Sequence, residues 1–277
     1  MNGYLVGVLI SFAIYLIVSF IVNKYVKGAD DYFVAGRNAT TGLIVGSMVA
    51  SLLSTGVFLG DSGEAYNGIW VAVAGCAAIS AGGYILGAVF FSRHLRRADV
   101  YTVPQFFEKR FCSRPVGIMA VVAVVIAMAV YLISVTQGGS TLMANVTGLP
   151  YNVCAIMAIA LFTIMVISAG SKGVLITDTI MFGLFTIIGV TSVIIVSVKG
   201  GGWYNIIENI SAAPETHDLL SWHGVLGYMY DTGWENMVWF WAYGICWAGV
   251  GFIGPWQCSR NLMAKSEHTV IRSSVFV

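Results

Sequence analysis

The chain has 277 residues, of which 58% are hydrophobic and only 10% carry a charged side chain. Soluble domains contain about 45–50% apolar and about 25% charged residues, so this composition excludes an ordinary water-soluble protein. It also excludes a disordered chain, which is poor in apolar residues. The net charge of +1 gives no basic field for nucleic acid. The composition therefore predicts an all-α, polytopic bundle of membrane helices in a lipid bilayer.

Seven apolar segments approach or exceed the roughly 20 residues that a helix needs to cross a bilayer. The first has neither the basic start nor the small-residue cleavage site of a signal peptide, so we expect it to remain in the membrane. An eighth apolar segment begins at Thr269. The predicted spans are residues 4–22, 41–60, 69–91, 116–143, 152–169, 174–198 and 238–256.

The basic residues predict the orientation of these spans. If the N-terminus lies outside, every Lys and Arg except Lys199 falls on the inner side, as the positive-inside rule requires. We therefore expect a multi-pass protein of the cell membrane with its N-terminus outside. Residues 99–111 mix aromatic and charged side chains around Pro104, which is typical of a short helix lying in the inner interface. The polar residues 200–236 predict an outer loop with short helices of its own.

Hydroxyl side chains are unusually frequent in the second span. Each one has a simpler explanation, because small residues favour close helix packing and hydroxyls can bond to their own helix. As a cluster they predict that the helix unwinds near Ser54–Gly56. The freed carbonyl and hydroxyl oxygens would then be available to a small cation such as sodium. The cluster consists of Ser47, Ser51, Ser54 and Thr55, followed by Gly56.

Two further segments carry unusual residues. Asp178 lies a few residues into the sixth span, where a carboxylate faces a cavity or a partner or caps the helix N-terminus. The seventh span combines several glycines with Pro255, which indicates an interrupted helix. Tyr243 and Trp247 lie near its middle and either pack the bundle or line a substrate pocket.

The sequence contains no enzyme motif. G-x-S-x-G, H-E-x-x-H and the Walker A pattern are all missing, and the histidines fall in loops on both sides of the membrane. The five cysteines have no C-x-x-C spacing and are read as small hydrophobic residues in helix packing. We therefore expect neither catalysis nor an organic cofactor.

Several motifs, in chain order, resemble those of the sodium:solute symporter family, which includes carriers of proline, pantothenate, sialic acid and sugars. Arg260, followed by Ala-Lys-Ser at residues 264–266, is similar to the inner loop after the family's interrupted helix. The most specific motif is the segment at residues 101–111. The matching segments are DDYFVAGR at 30–37, FLGDSGEAY at 58–66, YTVPQFFEKRF at 101–111 and GVLITD at 173–178.

The resemblance implies an inverted-repeat, leucine-transporter-like fold with one extra N-terminal helix. Residues 4–22 would be the extra helix, residues 41–198 a complete five-helix repeat, and residues 238–277 the start of a second, truncated repeat. Residues 1–277 would then be the N-terminal part of a single transporter domain. On this interpretation the family's later sodium ligands follow residue 277, and we expect that the chain alone does not transport.

The resemblance also implies the function and its residues. The function would be sodium-coupled symport of a small organic solute, with Na⁺ as coupling ion. The carbonyls of Ala50 and Leu53 would bind sodium, and Asp178 matches the acidic residue on the sodium exit route, which in some members helps to bind a second sodium. Trp247 is a further candidate for the substrate pocket. The substrate would be flanked by Ser51, Ser54, Thr55 and Val57.

Some positions depart from the family pattern. Ile176 and Met181 replace a Trp and a Gln, and Ser171-Lys172 replaces Gly-Gly. Ala77 stands about where the sugar carriers have a carboxylate, which makes a sugar a less favoured substrate. The same helical module can also be joined to a cytoplasmic signalling domain, so a membrane sensor remains the alternative function. A long soluble C-terminal extension would indicate the sensor, and further spans would indicate the carrier.

Overall fold

The computed structural model describes residues 2–214 and 216–277, and within those ranges the chain folds into helices without any β-strand. Two short 3₁₀ turns cover Ala35–Arg37 and His217–Leu220. The helical elements are α1 (Gly3–Asn23), α2 (Ala29–Val34), α3 (Thr41–Leu52), α4 (Gly56–Arg97), α5 (Val103–Phe111), α6 (Arg114–Thr147), α7 (Tyr151–Lys199), α8 (Trp203–Ala212), α9 (Gly233–Ile253), α10 (Pro255–Met263) and α11 (Glu267–Phe276).

In the described residues, five helical segments are long and apolar enough to cross a membrane, namely α1, α4, α6, α7 and α9 continued by α10. The seven predicted spans correspond to these five segments together with the shorter helix α3. Some helices, however, begin or end at other places than the sequence predicts. The second span is divided between α3 and the start of α4. The fifth and sixth spans are both contained in α7, whose 49 residues measure about 74 Å at 1.5 Å per residue. That length is more than twice the hydrocarbon core of about 30 Å.

The two spans within α7 are separated by a kink at a single glycine. Gly170 has φ 54° and ψ −151°, a conformation that residues with a Cβ rarely adopt. A Cβ at this position would also lie 2.6 Å from the carbonyl oxygen of Tyr32 in α2. The loop that the sequence predicts between the fifth and sixth spans is therefore a kink at one residue, and α2 packs directly against it.

The helix α4 is irregular on both sides of its longest regular segment, Trp70–Gly87. Gly68, with φ 173° and ψ −16°, divides its first part from the third predicted span. Segments of π-helix, which are rare and often mark functional sites, alternate with α-helix. The π segments are Gly56–Asp61, Ala65–Ile69 and Ala88–Ser92, and the α segments are Ser62–Glu64, Trp70–Gly87 and Arg93–Arg97.

The seventh predicted span is interrupted, as expected. The helix α9 ends before Gly254, whose φ of −53° and ψ of 129° are extended, and α10 begins at Pro255. Proline is favoured in the first turn of a helix because no partner is needed for its missing N–H. The interruption lies near the inner end of the predicted span rather than at its middle.

Loops that the basic residues place on the inner side meet at one end of the bundle, here called the inner end. The Tyr101 hydroxyl donates a hydrogen bond to Asp30 at 2.7 Å, and the Lys172 ammonium lies 3.2 Å from a carboxylate oxygen of Asp31. The backbone N–H of Lys27 and the side chain of Lys172 hold the pKa of Asp31 below its ordinary value. Three predicted inner loops are thus in direct contact.

The predicted outer segments meet at the opposite end. The Asn2 side-chain amide donates to the carbonyl of Val146 at 3.1 Å, and the Val225 N–H donates to the carbonyl of Gly68 at 2.8 Å. The start of α1 therefore contacts the end of α6, and the outer loop contacts α4 just before the third predicted span.

Glycines bring α4 and α9 into backbone contact. A Cβ added at Gly83 would lie 2.1 Å from the carbonyl oxygen of Ala248, and one at Gly87 would lie 2.7 Å from that of Phe252. Small residues at helix interfaces allow such close approach in membranes. This contact fixes the position of α9 against α4.

We predict that Gly83→Ala destabilises the protein by about 1–3 kcal/mol, the usual cost of overpacking, because the backbone of α9 cannot yield to a methyl group. Neighbouring Gly82 has no atom within 4 Å of an added Cβ, so Gly82→Ala is the matched control. Thermal unfolding in detergent measures both. Equal midpoints for the two variants would contradict the backbone contact.

Candidate functional site

The backbone of the second predicted span leaves the helical conformation at Leu53, which has φ −72° and ψ 59°. The N–H of Ser54 donates to the carbonyl of Leu52 at 2.7 Å rather than to that of Ala50, its partner in a regular helix. Within the described residues, the carbonyls of Ala50 and Leu53 accept no backbone hydrogen bond. The predicted unwinding is confirmed, and it begins one residue earlier than expected.

Hydroxyl groups take part in the break. The Ser54 hydroxyl accepts the N–H of Gly56 at 3.3 Å, and the Ser51 hydroxyl donates to the carbonyl of Ser47 at 2.8 Å. Serine side chains that bond to nearby backbone groups compete with the helical hydrogen bonds. The sequence Ser-Thr-Gly thus stabilises the interruption locally.

A cavity of about 170 Å³ opens beside the break. Its wall is mainly apolar with a few polar groups, which is the usual character of a small-molecule site. It is smaller than the roughly 300–1,000 Å³ of pockets for drug-sized ligands, so it suits a small solute. The lining residues come from the break, from α4 and from α9: Leu52, Leu53, Ser54, Gly56, Val57, Asp61, Val73, Cys76, Ala77, Ser80, Tyr243 and Trp247.

Four of the predicted site residues line this cavity: Leu53, Ser54, Val57 and Trp247. The Trp247 ring is held by aromatic contacts along α9, because it lies edge-on to Tyr243 with ring centres 6.2 Å apart. Tyr243 in turn stacks on Trp239 at 4.9 Å. The wall that α9 contributes is therefore braced by its own aromatic side chains.

The other predicted residues of the second span lie off the cavity wall. The hydroxyl of Ser51 is directed to its own helix, as described above. Thr55 packs against α6, where a Cβ at Gly138 would lie 2.9 Å from the Thr55 Cβ. Ala50 does not line the cavity, and its carbonyl lacks its helical partner because of the break.

Some lining residues were missed by reasoning from the sequence. Val73, Cys76, Ala77 and Ser80 follow the i, i+3, i+4, i+7 spacing of one helix face. Only Ala77 was singled out, through the comparison with sugar carriers. The helical spacing of these four residues is visible in the sequence. That α9 lies opposite them is not, because it depends on the glycine contact between α4 and α9.

Asp178 lies in a separate cluster toward the inner end. Its carboxylate accepts a hydrogen bond from the Ser47 hydroxyl at 2.6 Å and one from the Arg260 guanidinium at 3.0 Å. A second nitrogen of Arg260 donates to the Ser47 hydroxyl, also at 3.0 Å. A third donates to the carbonyl of Trp256 at 2.8 Å. The cluster connects α3, α7 and α10.

The structure distinguishes between the two explanations for Asp178, an N-terminal cap or a carboxylate with a partner. The residue lies within helical backbone eight positions after the kink at Gly170, so it is not an N-terminal cap. Its side chain is 16% exposed and that of Arg260 is 13% exposed. Asp178 is therefore a mostly buried carboxylate with a charged partner, as expected for an acidic residue inside a membrane protein.

Interrupted helices around a cavity, in a bundle of apolar helices, are typical of membrane transporters. Comparison with known proteins agrees, since the model of the sodium:solute symporter family matches residues 32–277. The chain belongs to the sodium:solute symporter family, a family of transporters rather than enzymes.

Individual relatives share only about a quarter of their aligned residues with this chain. The chain is 28% identical over 287 aligned residues to a sodium/glucose cotransporter of Vibrio parahaemolyticus, covering 96% of this chain and 50% of that protein. It is 24% identical to the sodium/proline symporter of Escherichia coli K12, covering 96% and 52%. A human sodium/myo-inositol cotransporter is 26% identical, covering 68% and 26%. The chain thus spans about half the length of the first two relatives.

We predict that Asp178→Asn destabilises the protein by about 3 kcal/mol, because it leaves the Arg260 charge buried without its partner. The double variant Asp178→Asn with Arg260→Gln removes both charges and should recover part of that loss. A double-mutant cycle on thermal unfolding measures the coupling. Strictly additive effects would show that the two residues do not interact.

Proposed function

We propose that the chain takes part in sodium-coupled symport of a small organic solute across the cell membrane. The observation that carries this proposal is the helix break, which frees the carbonyls of Ala50 and Leu53 and at Leu53 borders a cavity inside an apolar bundle. A backbone carbonyl at membrane depth costs several kcal/mol unless it is satisfied or lines a water-filled cavity. Carbonyl oxygens at a helix break are the ligands that transporters of this kind offer to Na⁺.

The solute is assigned to the cavity beside the sodium ligands. Ser54, Val57 and Trp247 line it and would contact the solute directly. Ser51 and Thr55 face Ser47 and Gly138 in this conformation. They would reach the solute only if the broken segment rearranges. An ion at the break and a solute in the adjoining cavity would share this segment, which is a direct route for their coupling.

The composition of the wall favours a solute with an apolar part. The named relatives transport glucose, proline and myo-inositol with sodium. In this chain Ala77, a small apolar residue, lines the cavity and stands about where the sugar carriers have a carboxylate. Asp61 does supply one carboxylate to the wall, but a polar sugar would still leave several of its hydroxyls facing apolar side chains, which costs free energy. We therefore favour a small, partly apolar solute over a sugar.

Asp178 is proposed to lie on the path by which sodium leaves toward the inside. Its partner Ser47 lies in α3, one turn before Ser51, and α3 ends at the break. Arg260 occupies its carboxylate in this conformation. A departing sodium ion would compete with that guanidinium, so the ion pair would re-form once the ion is released.

The proposed topology places the N-terminus outside the cell. It is supported by the sorting of basic residues and by the contacts among the predicted inner loops at one end of the bundle. Cysteine labelling tests it, because Cys112 is exposed and lies in an inner loop. A membrane-impermeant reagent should not reach Cys112 in intact cells.

For the cavity, we predict that Trp247→Ala raises the KM of sodium-driven uptake at least tenfold, since it removes one wall of the site. Trp241 lies on the same helix, is 52% exposed and does not line the cavity, so Trp241→Ala is the matched control. Uptake of proline, glucose and myo-inositol into proteoliposomes that hold the intact protein, with a sodium or a potassium gradient, provides the measurement. Equal KM values for the two variants would refute the cavity as the solute site.

A further inference from the structure

A second concave surface lies at the inner end, between the end of α4 and the interfacial helix α5. It encloses about 640 Å³ and is separate from the cavity at the helix break. We call it the interfacial groove. Its lining combines aromatic rings with cationic or polar side chains and includes no carboxylate: Phe90, Phe91, Phe106, Phe107 and Phe111, with His94, Arg97, Ala98 and Arg110.

The aromatic rings form one continuous wall. Phe107 stacks on Phe111 with ring centres 6.3 Å apart and an interplanar angle of 10°. Phe91 lies against Phe107 at the same distance and contacts Phe106 edge-on at 5.7 Å. Phe90 and Phe111 are nevertheless 65% and 61% exposed. The wall is therefore preformed and apolar, and much of it is uncovered at the level of the inner interface.

The basic side chains at the groove differ in whether they already have a hydrogen-bond partner. Arg97 donates two hydrogen bonds, of 2.8 and 2.7 Å, to Glu267. Lys109, beside the groove, donates to the carbonyl of Ala98 at 2.7 Å. Arg110 has no hydrogen bond or ion pair to any part of the chain that the structure describes. It also lines a smaller adjoining cavity of about 210 Å³.

We propose that the interfacial groove binds an anionic phospholipid of the inner leaflet. The phosphate would be held by the unpaired guanidinium of Arg110, which matches phosphate oxygens bidentately. The acyl chains would lie along the phenylalanine wall. A soluble phosphate would leave that wall exposed to water, and a zwitterionic lipid would bring no net charge to the cations. A basic side chain near the inner leaflet attracts anionic lipids by about 1 kcal/mol, equivalent to about fivefold in binding.

The inference rests on the proposed topology, which places α5 at the inner leaflet. It does not depend on sodium coupling, because neither Arg110 nor α5 contributes to the cavity at the break. Lipid binding and transport can therefore fail independently, and the lipid experiment requires no transport assay.

Native mass spectrometry of the detergent-purified protein tests the inference, with phosphatidylglycerol and phosphatidylcholine added in equal amounts. We expect phosphatidylglycerol to be retained preferentially. Arg110→Gln should lower that preference about fivefold, the effect expected for one basic residue near a lipid surface. Arg114→Gln removes the same charge at the start of α6 without lining the groove and is the matched control. Circular dichroism of each variant verifies that the helices are intact.

Preference for phosphatidylglycerol in the wild type and in Arg114→Gln, with loss in Arg110→Gln, would support the groove. Equal retention of both lipids by the wild type would overturn the proposal. The same loss in both variants would also overturn it, since attraction would then be a general effect of basic charge. Displacement of the lipid by millimolar inorganic phosphate would show a soluble-anion site instead.

Discussion

An unsatisfied backbone carbonyl is expensive inside a membrane, and the architecture around α3 and α4 depends on that constraint. The helix break frees the carbonyls of Ala50 and Leu53 in the middle of an apolar segment. Such groups persist only where a cavity, an ion or a polar partner compensates them. The adjoining cavity and the hydroxyls of the Ser-Thr-Gly sequence supply that setting. The same feature that is unfavourable for a simple membrane span is thus the basis of the proposed ion site.

Two contacts position the remaining elements around the break. The glycines of α4 bring the backbone of α9 close enough for Tyr243 and Trp247 to close one side of the cavity. The pair of Asp178 and Arg260 attaches α10 to α3 and α7. Elements on both sides of the outer loop therefore surround the break, since α9 lines the cavity beside it and α10 contacts α3 one turn before Ser51.

The sequence predicted the apolar spans, the break and the family, because each is encoded in local composition or in a contiguous motif. The interruption at Gly254-Pro255 was likewise visible in residue type. The joins were not. Gly170 forms a one-residue kink because Tyr32 packs against it, and the partner of Asp178 is 82 residues away in sequence. Such contacts arise only when distant segments pack, so no local pattern reveals them.

Carbonyl ¹³C chemical shifts measure the central claim most directly. In the intact protein in bilayers, labelled at Ala50 and Leu53, we expect both resonances to shift saturably with Na⁺ and not with K⁺. The carbonyl of Leu52 already accepts the N–H of Ser54 and is the internal reference. Its resonance should move less. If sodium left Ala50 and Leu53 unchanged, or moved Leu52 equally, the helix break would not be the sodium site.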